Sequence, residues 1–349
     1  MQRLIAVLTL AVAMLVAQQA HADDVADFYK GKRINLIVGY GPSGGYDSYA
    51  RVLARYMPKY IPGNPNIVVQ NMPGAGSIRA TNFIYNVAPR DGTTIGTFGR
   101  NTPLLGVIKT SQNIQFDPAK FTWLGSMSSF ANDGYILVVR KDAQVKSIED
   151  ARRPGGPPLI LGSSTEGSSS DSSAILMRDM LDFNVKLIPG YTDGGMLYVA
   201  IERGEIDGRA MSFSSIKANR PDWLKPDGLV RILMVFGRET RLPDFPDTPT
   251  ARELVRNDED RNVLDVAESP YKLNRPFAGP PGVPADRVRA LQQAFIAAQK
   301  DPGYLQDAKK LGLDVSPIDG PEIYRLIERI SKMPPDQLAR VEKLIAESR

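Results

Sequence analysis

Four short turns gather glycine, serine and free backbone N–H groups where apolar runs give way to helical patterns. The first is Gly39-Tyr40-Gly41-Pro42-Ser43-Gly44-Gly45-Tyr46-Asp47, with Ser43, Gly44, Gly45, Tyr46 and Asp47 opening a helix. A strand-to-helix turn of this kind suits a small anion, because the first helical N–H groups lack partners and the dipole favours negative charge. Gly39, Gly41 and Gly44 also have the G-x-G-x-x-G spacing of a dinucleotide turn. That reading fails on two points. The next strand ends in Gln70-Asn71 where an acid should hold a ribose, and Pro42 has no N–H to donate. A tight turn with no ligand is the remaining alternative.

The second turn, 71–77, offers Ala75, Gly76 and Ser77, and its glycines allow close backbone approach. The third, 162–171, offers Ser168, Ser169 and Ser170. It lacks the Gly-Lys-Ser/Thr ending of a nucleotide loop, and plain helix capping is its alternative. The fourth, 190–195, offers Thr192, Asp193 and Gly194. Arg100 and Asn101 follow the third predicted strand. Arg100 is the one candidate for a direct, bidentate ion pair, with a structural or surface arginine as the alternative. Asp47 is expected to cap its helix or accept from N–H groups beside a ligand, because it would repel a carboxylate.

What is missing narrows the chemistry. The 349 residues contain no Cys and one His, His21, which lies in a segment expected to be removed. Cys nucleophiles, Ser-His-Asp triads, His bases and Cys/His zinc sites are then excluded, and no disulfide can form. Paired carboxylates could still support hydrolysis. Asp47, Glu166, Asp171 and Asp193 are available, but nothing in the sequence sets two of them at a glycosidase spacing. No cofactor or metal is expected, and binding without catalysis is favoured.

Strand and helix patterns alternate along the chain. Strands are predicted at 33–38, 66–70 and 93–98, separated by helices at 46–57 and 78–87, which implies a parallel sheet. A second set comprises strands at 135–139, 159–161, 185–188 and 230–236 and a short strand opened by Ile206 and Asp207, with helices at 170–181 and 195–203. A linking strand is predicted at 271–278 and stops at Gly279-Pro280-Pro281-Gly282. Helices follow at 285–300, 303–311 and 321–330. Two α/β sets imply two lobes with a cleft between them.

The N-terminal segment has the layout of a signal peptide. Arg3 precedes an apolar run from Leu4 to Val16, and Ala20-His21-Ala22 forms a small-residue cleavage site. The run is too short to span a bilayer, which takes about 20 residues. Residues 1–22 are therefore expected to be cleaved after Ala22, leaving a chain in the periplasm. The net charge of +4 is spread among acids, and no nucleic-acid stripe is visible.

Taken together and in order, these motifs make the chain resemble the extracytoplasmic receptors of tripartite tricarboxylate transporters, the Bug family. The likeness rests on Pro42 to Arg51, Asn71 to Gly76, Pro89 to Thr94, Gly167 to Ser170, Tyr191 to Gly195, Gly204 to Asp207, Pro246 to Thr250 and Gly279 to Pro284. The resemblance implies a two-lobe, type II periplasmic binding protein fold. It implies capture of a di- or tricarboxylate, acidic amino acid or aromatic acid, and delivery to integral-membrane permease subunits. A monomer is expected. Lobe one is expected to comprise 23–133 plus 275–349, and lobe two 134–274. Ser43 stands where the family has glycine, and Arg100 where it more often has small polar residues. The alternatives are a secreted hydrolase that uses carboxylates and a periplasmic ligand sensor for signalling.

Overall fold

The computed structural model describes residues 24–346 except 110, 130–132 and 165–167, and not the side chains of 345–346. The expected signal peptide, its cleavage site and Glu166 lie outside the described residues. Among the described residues, no helix is long and apolar enough to cross a membrane.

The chain forms a two-sheet α/β architecture. The first sheet contains β1 (Arg33–Val38), β2 (Asn66–Asn71), β3 (Thr94–Thr97) and β4 (Thr122–Ser126). The second contains β5 (Tyr135–Arg140), β6 (Leu159–Gly162), β7 (Val185–Ile188), β8 (Gly208–Ser212) and β9 (Val230–Phe236). The chain then returns to the first sheet with β10 (Pro276–Gly279) and β11 (Ile318–Asp319). Spatial orders are β11-β4-β10-β3-β1-β2 and β7-β6-β8-β5-β9.

β1 runs parallel to both β2 and β3, with Leu36 opposite Val69 and Ile95. Its Ile34, Leu36 and Val38 are wholly buried, as a strand covered on both faces requires. In the helix Gly45–Tyr56, Tyr49, Ala50, Val52 and Leu53 form the buried stripe. The helix therefore lies against the first sheet with its N-terminus held at the end of β1. β6 pairs in parallel with β7 and β8, while β5 is antiparallel to β8 and β9.

Several elements depart from the sequence expectation. β4 was not anticipated, because Thr-Trp-Leu-Gly-Ser is short and carries a glycine. It is buried throughout, and Trp123 donates its Nε1–H to the Pro118 carbonyl at 2.8 Å. The predicted strand 271–278 is broken. Pro270 starts a helical turn at Ser269–Lys272, so that only Pro276–Gly279 pairs. Unforeseen helices occupy Thr102–Ile108, Phe213–Asn219, Asp258–Ala267 and Pro335–Ala346. The last of these packs on Asp258–Ala267 and on Ser169–Leu181. Its Val341 is fully buried, and Arg340 pairs with Glu259 and Asp260.

A polar seam joins the two sheets. The buried Asp133 carboxylate accepts from the Gly134 N–H at 2.8 Å and the Ser214 N–H at 3.0 Å. Asn274 Nδ2 donates to Ser128 Oγ at 3.0 Å, and the Tyr49 hydroxyl donates to the Asp314 carbonyl at 2.9 Å. Burial pushes the Asp133 carboxyl above its ordinary pKa. Seams of satisfied polar groups fix one arrangement of neighbouring elements.

Candidate functional site

Three helices begin at one cavity of about 70 Å³ between the sheets. They are Gly45–Tyr56, Ser169–Leu181 and Gly194–Arg203. Gly44 precedes the first without a side-chain cap, so its opening N–H groups are left for an incoming acceptor. Gly44, Gly45 and Tyr46 line the cavity. Ser168 caps the second helix by accepting from the Asp171 N–H, and Ser168, Ser169 and Ser170 all line the cavity.

Three arginines reach the same space: Arg100, Arg209 and Arg275. Arg100 is 2% exposed and its guanidinium lies 4.6 Å from the Tyr135 ring centroid. Its backbone N–H donates to the Tyr46 hydroxyl at 3.0 Å. Arg275 is 1% exposed and sits between aromatic faces, 4.5 Å from Tyr46 and 5.0 Å from Tyr49. Its Nη2 donates to Ser215 Oγ at 2.8 Å, and its Nη1 donates to the Asn274 carbonyl at 2.7 Å. Burial, and then the Arg100 charge, push the Arg275 pKa below the ordinary arginine value. Arg209 rises from β8, where Nε donates to the Ala210 carbonyl at 3.2 Å. The buried atoms Arg209 Nη1 and Arg275 Nε make no hydrogen bond among the described residues.

Tyrosines frame this cluster. Tyr40 stacks on Tyr46 with centroids 4.4 Å apart, and Tyr135 on Tyr271 at 4.8 Å. Burial raises the pKa of Tyr40 and Tyr135, so both remain hydroxyl donors. Among the described residues lining the cavity there is no Asp, Glu or Lys. Fixed guanidinium and hydroxyl donors with no acid among the described lining suit negative charge.

Of the residues singled out in the sequence, Gly44, Gly45, Tyr46, Arg100, Ser168, Ser169, Ser170 and Gly194 are brought together here. The others lie outside the lining and have other partners. Ser43 N–H donates to Asp47 Oδ2 at 3.1 Å, and Asp47 also pairs with Arg51 at 2.8 Å and accepts from Asn71 Nδ2 at 3.0 Å. Gly76 and Ser77 accept from neighbouring groups, and Ala75 is exposed. The Gly76 carbonyl accepts from the Tyr40 hydroxyl at 3.3 Å, and Ser77 Oγ accepts from the Gly99 N–H at 2.6 Å. Asn101 crosses between the sheets, accepting from Ser169 Oγ at 3.2 Å and donating to Ser172 Oγ at 3.0 Å. Asp193 caps its helix through the Gly195 and Met196 N–H groups, and Thr192 bonds to that same Asp193 carboxylate.

Sequence reasoning missed Arg209, Arg275, Tyr135, Tyr198, Met211, Ser212 and Ser215, as well as Tyr40 and Ser164 within turns it had marked. One signal was present. In β8 the period-2 alternation puts Arg209 and Met211 on one face, and an arginine facing inward on a buried strand calls for an acceptor.

The family model described as "Tripartite tricarboxylate transporter family receptor" matches residues 49–348. Protein BugT of Bordetella pertussis is 36% identical over 266 residues, covering 73% of this chain and 74% of that protein. A UPF0065 protein from the gbd 5' region of Cupriavidus necator is 27% identical over 311 residues, covering 86% and 84%. Among solved structures, the periplasmic binding protein BugD superposes with a TM-score of 0.67 at 21% identity, covering 92% of this chain and 98% of its own. MatC from Rhodopseudomonas palustris with bound malate gives 0.65 at 21% identity, covering 90% and 99%. A second R. palustris structure, with adipate, gives 0.67 at 22%, covering 91% and 97%. These structural likenesses establish the periplasmic binding protein fold.

Proposed function

The chain belongs to the tripartite tricarboxylate transporter receptor family, and from that premise we propose that it captures a small organic acid in the periplasm and hands it to the transporter's permease subunits. Residues 1–22 direct export and are removed. Lobe one, 23–133 plus 275–349, and lobe two, 134–274, close on the acid as a monomer. No bond is made or broken in the acid.

One observation carries the reading. Arg100, Arg209 and Arg275 meet three helix N-termini at a single cavity whose described lining holds no acid. Charge-assisted hydrogen bonds contribute about 1.5–3 kcal/mol each. Four of them, less ordering costs, reach the roughly −8 kcal/mol of a micromolar complex. Of the described acids a hydrolase could use, Asp47 is ion-paired to Arg51, Asp171 lies in the first turn of its own helix, and Asp193 is a helix cap.

Native mass spectrometry of protein purified without unfolding, followed by calorimetry with mono-, di- and tricarboxylates, tests this. A retained acid, or micromolar binding of one acid class, is expected. Binding of only neutral solutes would overturn it.

A further inference from the structure

Every hydrogen-bond partner of the buried Arg275 guanidinium is neutral. Its Nη1 donates to the Asn274 carbonyl at 2.7 Å and to Asn274 Oδ1, and its Nη2 donates to Ser215 Oγ at 2.8 Å. The Tyr46 and Tyr49 rings cover it. Its Nε has no acceptor among the described residues. An arginine that is 1% exposed ordinarily takes a carboxylate.

A carboxylate stands one side chain away. Asp133 is wholly buried, and its Oδ2 accepts from Asn274 Nδ2 at 3.4 Å and from Ser212 Oγ at 3.3 Å. Among the described residues, no hydrogen bond or ion pair joins Asp133 directly to Arg275. The Asn274 amide, itself fully buried, lies between them. Both of its ends are fixed. A guanidinium has only donors, so it must meet the amide oxygen, and the amide nitrogen then faces Asp133 and Ser128 Oγ, the latter at 3.0 Å. Asp133 precedes β5 and Asn274 precedes β10, so this contact forms where the chain crosses between the sheets.

The spacing decides where the charge is available. A carboxylate in contact with Arg275 would neutralise it and compete with an incoming acid for the same N–H groups. A neutral amide gives the guanidinium a direction and leaves its charge uncompensated on the cavity side. The cost falls on Asp133, whose carboxyl burial pushes above its ordinary pKa.

We infer that Asn274 is a positioning residue for acid capture: it aims the Arg275 guanidinium and, as a neutral spacer, keeps Asp133 from pairing with it, so that the positive charge is left for the ligand. The inference rests on the receptor reading above.

The test is calorimetry with butyrate, succinate and citrate, following whichever acid binds wild type most tightly. It compares wild type, Asn274→Ala, and the exchanged pair Asp133→Asn with Asn274→Asp. The exchange keeps the same two side-chain types in the seam and moves only the carboxylate, placing it against Arg275. Melting curves confirm that each variant folds, and Asn274→Asp alone stands in if the pair does not. Asn274→Ala should weaken binding about 3- to 10-fold, because the Asn274 carbonyl and Ser215 still hold the guanidinium. The exchanged pair should weaken it about 10- to 100-fold. A residue that served shape alone would give the reverse order, since Asp matches Asn in size and Ala does not. Binding by the exchanged pair as tight as that of Asn274→Ala, or tighter, would overturn the spacer role. Unchanged binding by Asn274→Ala would overturn the positioning role. Failure of wild type to bind any of the three acids would instead bring down the organic-acid reading, and the inference with it.

Discussion

Gly45 and Arg275 are in such close register that a single methyl group would collide with the guanidinium. A Cβ at Gly45 would stand 2.5 Å from Arg275 Nη2 and 2.4 Å from Ser215 Oγ. The glycine is not there for its backbone angles, since it opens a regular helix and is not among the positive-φ glycines. It is there because the Arg275 guanidinium and the Ser215 hydroxyl fill the space a side chain would need.

The first prediction follows directly. Gly45→Ala should push Arg275 and Ser215 out of place and weaken acid binding at least ten-fold. Overpacking of this kind costs about 1–3 kcal/mol. Calorimetry and thermal melting read the two effects separately. Unchanged affinity would show that the approach of Arg275 to the helix is incidental.

Asp47 supports the first turn from outside the cavity. Burial pushes its pKa up, but hydrogen bonds from Arg51, Asn71 and the Ser43 N–H outweigh burial and leave it below the ordinary carboxylate value. The folded state therefore holds the charge more firmly than the unfolded chain does. That stability is present above about pH 3.9, the ordinary Asp value, and is lost as pH falls through the lower folded pKa. Asp47→Asn should flatten the acid limb of a stability-against-pH curve. Asp47→Ala should cost about 1–3 kcal/mol at neutral pH. Denaturant melts from pH 2 to pH 7 check both, and an unaltered acid limb would count against this assignment.

Glu268 behaves in the opposite sense. It is 5% exposed, and burial pushes its carboxyl up to about 8, against smaller lowering effects from the Gly237 backbone, Arg252 and Lys272. Here the folded state binds the proton more tightly. The stability associated with that proton is full below about pH 4.3, the ordinary Glu value, and is lost as pH rises through about 8. Glu268→Gln should remove this loss, so the variant should gain on wild type between pH 6 and pH 9. A parallel pair of stability curves over that range would contradict the buried, protonated carboxyl.

Much of the framework could be read from the chain because the relevant signals are local. Apolar runs such as Ile34 to Val38 and Val230 to Phe236 specify buried strands, and Gly44-Gly45 and Ser168-Ser169 mark where helices begin at the cavity. The turn residues outside the lining, Ala75 to Ser77 and Thr192-Asp193, carry the same composition as those that line it. Only packing separates the two kinds. Arg209 and Arg275 were hidden for another reason. Each is a single arginine at a strand or its edge, and 66 positions separate them in the sequence. Their meeting depends on how the two sheets face each other. The helix Pro335–Ala346 was hidden in the same way, because its apolar stripe is explained by distant elements beneath it, chiefly Asp258–Ala267 and Ser169–Leu181.

The most direct test of the central claim is a crystal structure of the chain with a bound four- to six-carbon diacid. A carboxylate is expected within about 3.2 Å of the Arg275 or Arg209 guanidinium and of the adjoining helix N–H groups. A diacid lying outside this cavity, or one whose carboxylates both bypass the two guanidinium groups, would contradict it.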